Sequence, residues 1–153
     1  MRRAKSGLIL LFALVGCAKD PAREEALRAE RDKVVLNGVV DEDLKAERAL
    51  VQVGEAERQH NLDEAARLVD DDAIPAADRA IDVAKQALPE SVWGRARKDE
   101  LLSAMNERRD ELPKYAAALR AQDLEQQLAS VEKQIAIEKR AMTVAQAIKD
   151  GPK

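Results

Sequence analysis

Glu57 and His60 form a Glu-x-x-His pair, and the sequence contains no other histidine. At helical spacing these two side chains share a face. Helical bundles that hold two iron ions use two such pairs together with two further glutamates. Because a second pair cannot form here, we expect no metal site and interpret His60 as a helix-end residue that interacts with the helix dipole.

Three consecutive carboxylates and three serines are the other groups with chemical potential; they are Asp70, Asp71, Asp72, Ser91, Ser103 and Ser130. Consecutive helical residues point about 100° apart, so the carboxylates do not converge on one cation. None of the serines belongs to a motif that supplies a base, and no glycine-rich phosphate loop occurs. The sequence predicts no enzyme, no catalytic residue and no cofactor.

Cys17, the only cysteine, follows a charged segment and then an apolar one. Residues 1–5 carry three positive charges, residues 8–15 are uninterruptedly apolar, and Gly16 is small. This order is typical of an export signal with a processing site. The apolar segment is too short for a transmembrane helix, which needs about 20 residues. Residues 1–16 are therefore predicted to be a cleaved signal peptide.

Leu14, Val15, Gly16 and Cys17 match a lipobox at all four positions, and this stretch resembles the signal sequences of bacterial lipoproteins. The resemblance implies a diacylglycerol on the Cys17 thiol, cleavage before Cys17 and acylation of the new terminus. Two or three acyl chains hold a protein stably at a lipid bilayer. Lipoproteins with alanine at the next position, here Ala18, resemble those sorted to an outer membrane. The alternatives are a secretory peptide with an incidental cysteine and an uncleaved apolar terminus.

Removal of residues 1–16 leaves 23 basic and 29 acidic residues, a net charge of −6. Nucleic-acid-binding proteins concentrate basic charge and stacking aromatic side chains, whereas only Trp93 and Tyr115 remain as aromatic residues. With Cys17 lipidated, no cysteine is left for a disulfide or a cysteine-based metal site. We expect no nucleic acid as partner and a fold stabilised by packing alone.

Residues 22–150 are rich in Ala, Leu, Glu, Arg and Lys and poor in glycine, a composition that favours helix. We predict one all-α domain, an elongated antiparallel bundle of three to four helices, on a lipidated tether at residues 17–21. Asp20 is the expected N-cap of the first helix, with Pro21 in its first turn. Gly151 is expected to end the last helix.

Local signals interrupt the helical pattern at four places. The pair at 37–38, Asn-Gly between β-branched residues, predicts a break or kink with Asp41 as a new cap, or alternatively a short hairpin. Pro75 predicts a kink or short break in the second helix. Residues 90–94 predict the second turn. Pro113 predicts a helix end or, as we prefer, a continuous bent helix.

The first turn is expected at His60 and Asn61. Val53-Gly54 and residues 61–65, Asn-Leu-Asp-Glu-Ala, resemble the helix-turn-helix of a tetratricopeptide repeat. Such repeats need about three copies of 34 residues, and the same period forward lands on residues 87–89, Ala-Leu-Pro, which do not match. A tight αα-hairpin of common composition is the preferred interpretation.

Two apolar stripes are the main packing signal. The first consists of Leu36, Val40, Leu44 and Val51. The second has heptad spacing with Glu138 as its one polar member, and consists of Leu124, Leu128, Val131, Ile135, Met142 and Ala145. This spacing predicts a coiled-coil-like C-terminal helix, and Ile137, Val144 and Ile148 widen its apolar face as in a bundle. We expect the two stripes to pack together within one monomer.

These features predict a non-enzymatic lipoprotein that Cys17 anchors in a bacterial cell envelope, on the outer membrane facing the periplasm. It would act as a scaffold or as a binding module for another protein. Trp93 is the candidate partner contact, since tryptophan is enriched at binding hot spots; covering the end of the bundle is its alternative role. A helical-repeat adaptor that captures peptides and a carrier of a metal or small molecule are the alternative functions.

Overall fold

The computed structural model of the chain describes residues 20–152. Its helices are α1 (Pro21–Arg58), α2 (Leu62–Leu68), α3 (Ile74–Gln86), α4 (Val92–Ala121) and α5 (Leu124–Asp150), and a π-helical turn, Val69–Ala73, joins α2 to α3. The described part of the chain contains no strand. The predicted all-α bundle is confirmed: α2, the π-helical turn and α3 form one continuous rod, so that four rods make up the bundle. None of the helices in residues 20–152 is long and apolar enough to cross a membrane.

The four rods alternate in direction along the chain. Hydrogen bonds join Asp43 to Arg108 and Glu57 to Tyr115, in the same order along both helices, so α1 and α4 run parallel. α5 returns antiparallel to both, and Gly151 at its end lies beside Lys33 near the start of α1. This up-down-up-down arrangement with short loops is typical of helical bundles.

The core consists of two main apolar clusters with a polar layer between them. One cluster includes Val53, Val69, Leu112, Tyr115 and Leu119, and the other includes Leu36, Val39, Leu101, Met105 and Ile148. Both also contain many alanines, whose small side chains let neighbouring helix axes approach closely. Asp43 and Arg108 are buried between the clusters, so one ion pair divides the core.

Asp20 caps α1 as predicted, because its carboxylate accepts a hydrogen bond from the Ala22 N–H. α1 then continues through residues 37–38, so a break at this point and the alternative hairpin are wrong, whereas a kink within the helix stays a prediction. Leu36 and Val39, on either side, are both buried in the core. Tertiary packing of this turn therefore outweighs the low helix propensity of Asn and Gly.

Pro113 lies inside α4, which is the continuous helix that we preferred. The π-helical turn ends just before Pro75, where the kink or break was predicted. The turn predicted at residues 90–94 is displaced: Ser91 is the N-cap of α4, and Trp93 already belongs to its first turn.

The chain makes one turn that the sequence analysis missed, between α4 and α5. Gln122 adopts a left-handed conformation, with φ of 53°, and ends α4. Asp123 is the N-cap of α5, and its carboxylate accepts hydrogen bonds from the N–H and the side-chain amide of Gln126. This extra turn gives an even number of rods, which places α5 antiparallel beside α1.

Candidate functional site: an exposed apolar face on α1 and α5

The predicted packing of the heptad stripe of α5 inside the monomer is wrong for Leu124, Leu128, Ile135 and Met142, which are exposed. Val131 does pack inside, against the cluster that contains Val53 and Leu112. α5 does lie beside α1, but the apolar residues that it buries are Ile137, Ala141, Val144 and Ile148. The stripe of Leu124, Leu128, Ile135 and Met142 is centred roughly a third of a turn away from that buried side. From the first stripe, Leu36 is buried, whereas Leu44 and Val51 are exposed.

Six large apolar side chains are therefore exposed on one side of the bundle, each between 38% and 66%: Leu44, Val51, Leu124, Leu128, Ile135 and Met142. Leu44 and Val51 line a crevice together with Glu138 of α5, and Ile135 and Met142 border Glu138 from its other side. The contributions of the two helices thus adjoin at the charged side chain of Glu138, and we call these six residues the α1–α5 face. Exposed apolar surface of this kind marks interaction sites.

A crevice of about 350 Å³ opens in the α1–α5 face. Arg108 lines it and is itself only 1% exposed. Its guanidinium donates hydrogen bonds to Asp43 and, at 3.3 Å, to Glu47. Gln134 also lines the crevice, and within residues 20–152 both of its buried amide atoms, Oε1 and Nε2, have no hydrogen-bond partner. A buried amide without hydrogen bonds costs about 1–3 kcal/mol.

Burial and the positive charge of Arg108 have opposite effects on the pKa values of the two neighbouring carboxyl groups. Burial raises the pKa of Asp43, although the neighbouring guanidinium opposes this shift. Burial also raises the pKa of Glu47, again against the effect of Arg108, and repulsion from Asp43 and Glu138 adds to the rise. One buried cation therefore serves two carboxylates, which keeps the floor of the crevice polar without leaving Arg108 unpaired.

A second polar site holds the start of α4 against α1. Asp32 accepts hydrogen bonds from the N–H groups of Glu90 and Ser91, at 2.9 and 2.7 Å, and from the Ser91 hydroxyl at 2.5 Å. Burial alone would raise the pKa of Asp32, but these hydrogen bonds outweigh it and hold the pKa below its usual value. A Cβ atom on Gly94 would lie 2.7 Å from Asp32 Cγ, so only glycine permits this approach.

The sequence analysis missed Asp32, Asp43 and Arg108, although a signal was present. Arg108 follows Leu101 and Met105 and precedes Leu112 at the three- and four-residue intervals of a buried helix face. Asp32 and Asp43 likewise lie in register with the buried residues of α1. A charged residue in an otherwise apolar register indicates a buried polar contact, because unpaired buried charges are strongly disfavoured.

Trp93, the predicted partner contact, is partly buried and packs against the cluster that contains Leu36 and Val39. It lies in the first turn of α4 and is not part of the α1–α5 face. Its role in partner binding stays a prediction. Ser91 caps α4, Ser130 is buried, and the Ser103 hydroxyl lies 3.5 Å from a Glu107 oxygen. The three serines therefore have three different environments.

The other acidic candidates are engaged separately. Glu57 accepts a hydrogen bond from the Tyr115 hydroxyl at 2.5 Å, whereas His60 is exposed in the turn after α1. Asp70 pairs with Arg120 of α4, while Asp71 pairs with Arg67 of α2, the preceding helix. In the part of the chain that the structure describes, no group of three or more His, Cys, Asp or Glu side chains is placed to hold a metal ion.

A larger groove, of about 1080 Å³, runs between α4 and α5. Ion pairs cross it from Arg140 to Glu107 and from Lys133 to Glu111, and Ile137 lies below them. The charged side chains on the two sides of this groove therefore pair with each other. The apolar side chains of the α1–α5 face have no comparable cover among residues 20–152, which makes that face the better candidate.

Comparison of the chain with protein-family models, with curated proteins and with solved structures finds no match in any of the three. The predicted signal peptide, residues 1–16, and the lipobox, including Cys17, lie outside the described residues. The candidate site is therefore defined by the geometry of the bundle alone, and the lipid anchor stays a prediction from the sequence.

Proposed function

We propose that this protein is a lipid-anchored, non-enzymatic module of a bacterial cell envelope that binds a protein through its α1–α5 face. The observation that carries the binding role is the set of six exposed apolar side chains on two adjoining helices. The observation that supports the anchor is the match of Leu14, Val15, Gly16 and Cys17 to a lipobox.

The chemistry of the α1–α5 face favours a helical partner. Amphipathic helices bind by laying an apolar stripe into a groove, with anchors at intervals of three, four and seven residues. The face offers apolar side chains on both sides of a crevice that Gln134 and Glu138 also line. A partner helix that places apolar groups over Val51 and Ile135 would match these features.

The anchor and the face together define where this binding occurs. Asp20, where the described chain begins, is three residues after Cys17. A tether of this length holds the start of α1 close to the bilayer surface. Because Ala18 follows the cysteine, we propose the outer membrane as the location, with the bundle facing the periplasm.

The anchor is tested by labelling with a radioactive or clickable fatty acid in a bacterial host that processes lipoproteins. The wild-type chain should incorporate label and lose residues 1–16. Cys17→Ser should remain an unlabelled precursor. Recovery of a mature chain with an unmodified Cys17 from wild-type cells would show that the residue is an incidental cysteine.

The face is tested by placing a photoreactive amino acid at single positions in the full chain and irradiating intact cells. Ile135 and Met142 should give protein adducts, because they lie at the centre and one end of the face. Leu88 is the matched control, since it is apolar, 81% exposed and outside the face. Equal adduct yields from all three positions would contradict a specific binding face.

A further inference from the structure

The α5 part of the exposed surface has the spacing of a helix that pairs with another helix. Leu124, Leu128, Ile135 and Met142 of this face, with the partly buried Val131 between Leu128 and Ile135, follow at intervals of four, three, four and seven residues. From first to last they extend over about 27 Å of helix. A repeat of this kind lets two helices interlock their side chains along a common seam.

One edge of this seam carries charges whose sign changes along α5. Glu125 and Glu132 lie toward the start of the helix, and Lys139 follows Glu132 by one heptad. All three side chains are exposed, and no ion-pair partner for Glu132 or Lys139 exists among residues 20–152. Charges that flank an apolar seam determine the choice and the direction of the partner helix.

We infer that the α1–α5 face binds a second copy of this chain, with the two α5 helices packed antiparallel about a two-fold axis. In this arrangement Met142 packs against the partly exposed side chain of Val131 of the second copy, and Ile135 and Glu138 lie close to the axis. Glu132 faces Lys139 of the second copy, and the symmetry repeats both contacts. The inference rests on the α1–α5 face being the binding surface of the proposed function, and it names the occupant.

The flanking charges favour this arrangement over a parallel pair. In a parallel pair the edge of α5 that carries Glu132 and Lys139 faces the opposite edge of the second helix, where the corresponding residues are the uncharged Gln127 and Gln134. In the antiparallel pair the two like edges face each other, so Glu132 and Lys139 form two attractive contacts with charges that the chain already carries. Glu138 lies in the seam in both arrangements and does not distinguish them.

Antiparallel pairing also determines how the dimer lies relative to the membrane. Asp20 is at one end of each bundle, so the two copies present their tethers at opposite ends of the dimer. Both anchors reach one bilayer when the helix axes lie along its surface.

The test measures the dimer dissociation constant of the full chain in uncharged detergent micelles by sedimentation equilibrium. Wild type should form dimers. Glu132→Lys and Lys139→Glu should each raise the dissociation constant about tenfold or more, because each creates two like-charge contacts. The double variant, which exchanges the two signs, should return to within about threefold of wild type, because the pairs are restored.

Glu125→Lys is the matched control, since Glu125 faces the uncharged Gln146 of the second copy in this register. It should change the dissociation constant by less than about threefold. A wild-type monomer, a dimer that ignores both charge reversals, or a double variant without recovery would each overturn the inference. If the wild-type chain is monomeric while Ile135 still crosslinks to a different protein, the proposed function stands and only the second copy is excluded.

Discussion

The interior between α1 and α4 and the outer face of α1 and α5 place their side chains in opposite ways. Inside, Asp32, Asp43 and Arg108 are charged, yet each is 5% exposed or less. Outside, Ile135 and Met142 are apolar, yet each is about 60% exposed. The usual preference is the reverse, since charged side chains are mostly exposed and large apolar side chains are mostly buried.

This difference separates the residues that stabilise the folded monomer from those available for binding. Every buried charge in the interior has hydrogen bonds that explain its position, so its role is completed within the chain. The apolar side chains outside lack a counterpart of this kind in residues 20–152. The interior is therefore expected to control the free energy of unfolding, and the outer face to control association.

The largest effect is expected for Arg108→Met, which leaves Asp43 and Glu47 without their cation. At pH 7 the free energy of unfolding should fall by about 3–5 kcal/mol, the usual effect of breaking a buried ion pair. Without Arg108 the pKa values of both carboxyls rise further above those in the unfolded chain. The loss should therefore shrink as the pH falls from 7 toward 4, because the folded state then binds the extra protons. Urea unfolding followed by circular dichroism at several pH values measures this.

Arg109→Met is the control for that experiment. Arg109 pairs with Asp78, but both side chains are partly exposed, so this change should cost less than about 1 kcal/mol. Equal destabilisation by the two substitutions would contradict the structural difference between the two ion pairs.

Asp32→Asn should lower the free energy of unfolding by about 1.5–3 kcal/mol at pH 7, because it removes the charge that receives three hydrogen bonds. The pKa of Asp32 is lowered by folding, so its contribution is present above the unfolded value of about 4 and is lost as the pH falls below it. The variant should lack that part of the acid dependence. The exposed Asp41→Asn is the control, and an identical acid profile for both variants would exclude the assigned role of Asp32.

Gly94→Ala should destabilise the bundle by about 1–3 kcal/mol, because the added methyl collides with the Asp32 side chain. Gly38→Ala and Gly54→Ala have open space around the new Cβ and lie within α1. They should stabilise the protein by about 0.5–1 kcal/mol, since alanine favours helix. Thermal unfolding of the three variants gives the sign of each change, and the same sign at all three sites would be inconsistent with this packing.

The smallest effect on unfolding is expected for Leu128→Asp on the outer face. At a protein concentration that keeps the chain monomeric, the free energy of unfolding should fall by less than about 1 kcal/mol. Leu112→Ala, in the core, should lower it by about 2–5 kcal/mol. If Leu128→Asp proves as damaging as Leu112→Ala under these conditions, the assignment of Leu128 to the exposed face is incorrect.

The helix ends that local chemistry determines were predictable from the sequence. Asp20 with Pro21, and the turn at His60 and Asn61, carry their signals in side chains next to the backbone groups that they satisfy. The end of α4 carried a similar signal, Asp123 followed three residues later by Gln126, but the apolar spacing on either side suggested one uninterrupted helix.

The position of each apolar stripe was predictable, but the identity of its partner was not. Periodicity shows that Leu128 and Ile135 share a face of α5; it does not show whether the same chain or another molecule covers that face. The choice depends on how α5 is rotated against α1 and α4. Alanine and serine on its other side, as at Ala141 and Ser130, permit the closer approach that packing selects.

The π-helical turn at Val69–Ala73 has a consequence for the tolerance of this protein to changes in length. The Ile74 N–H bonds to the Val69 carbonyl, five residues earlier, so this turn holds one residue more than a regular α-helical turn. Because this widened turn already absorbs the additional residue, loss of the exposed Asp72 would restore regular winding and leave the residues after it at about their present rotation relative to α2. Ala77, Ala80 and Ala84 of α3 would then still face their neighbours. The same deletion inside the regular helix α1 would rotate all following residues by about 100°. The π-helical turn therefore tolerates the loss of one residue better than a regular helix does.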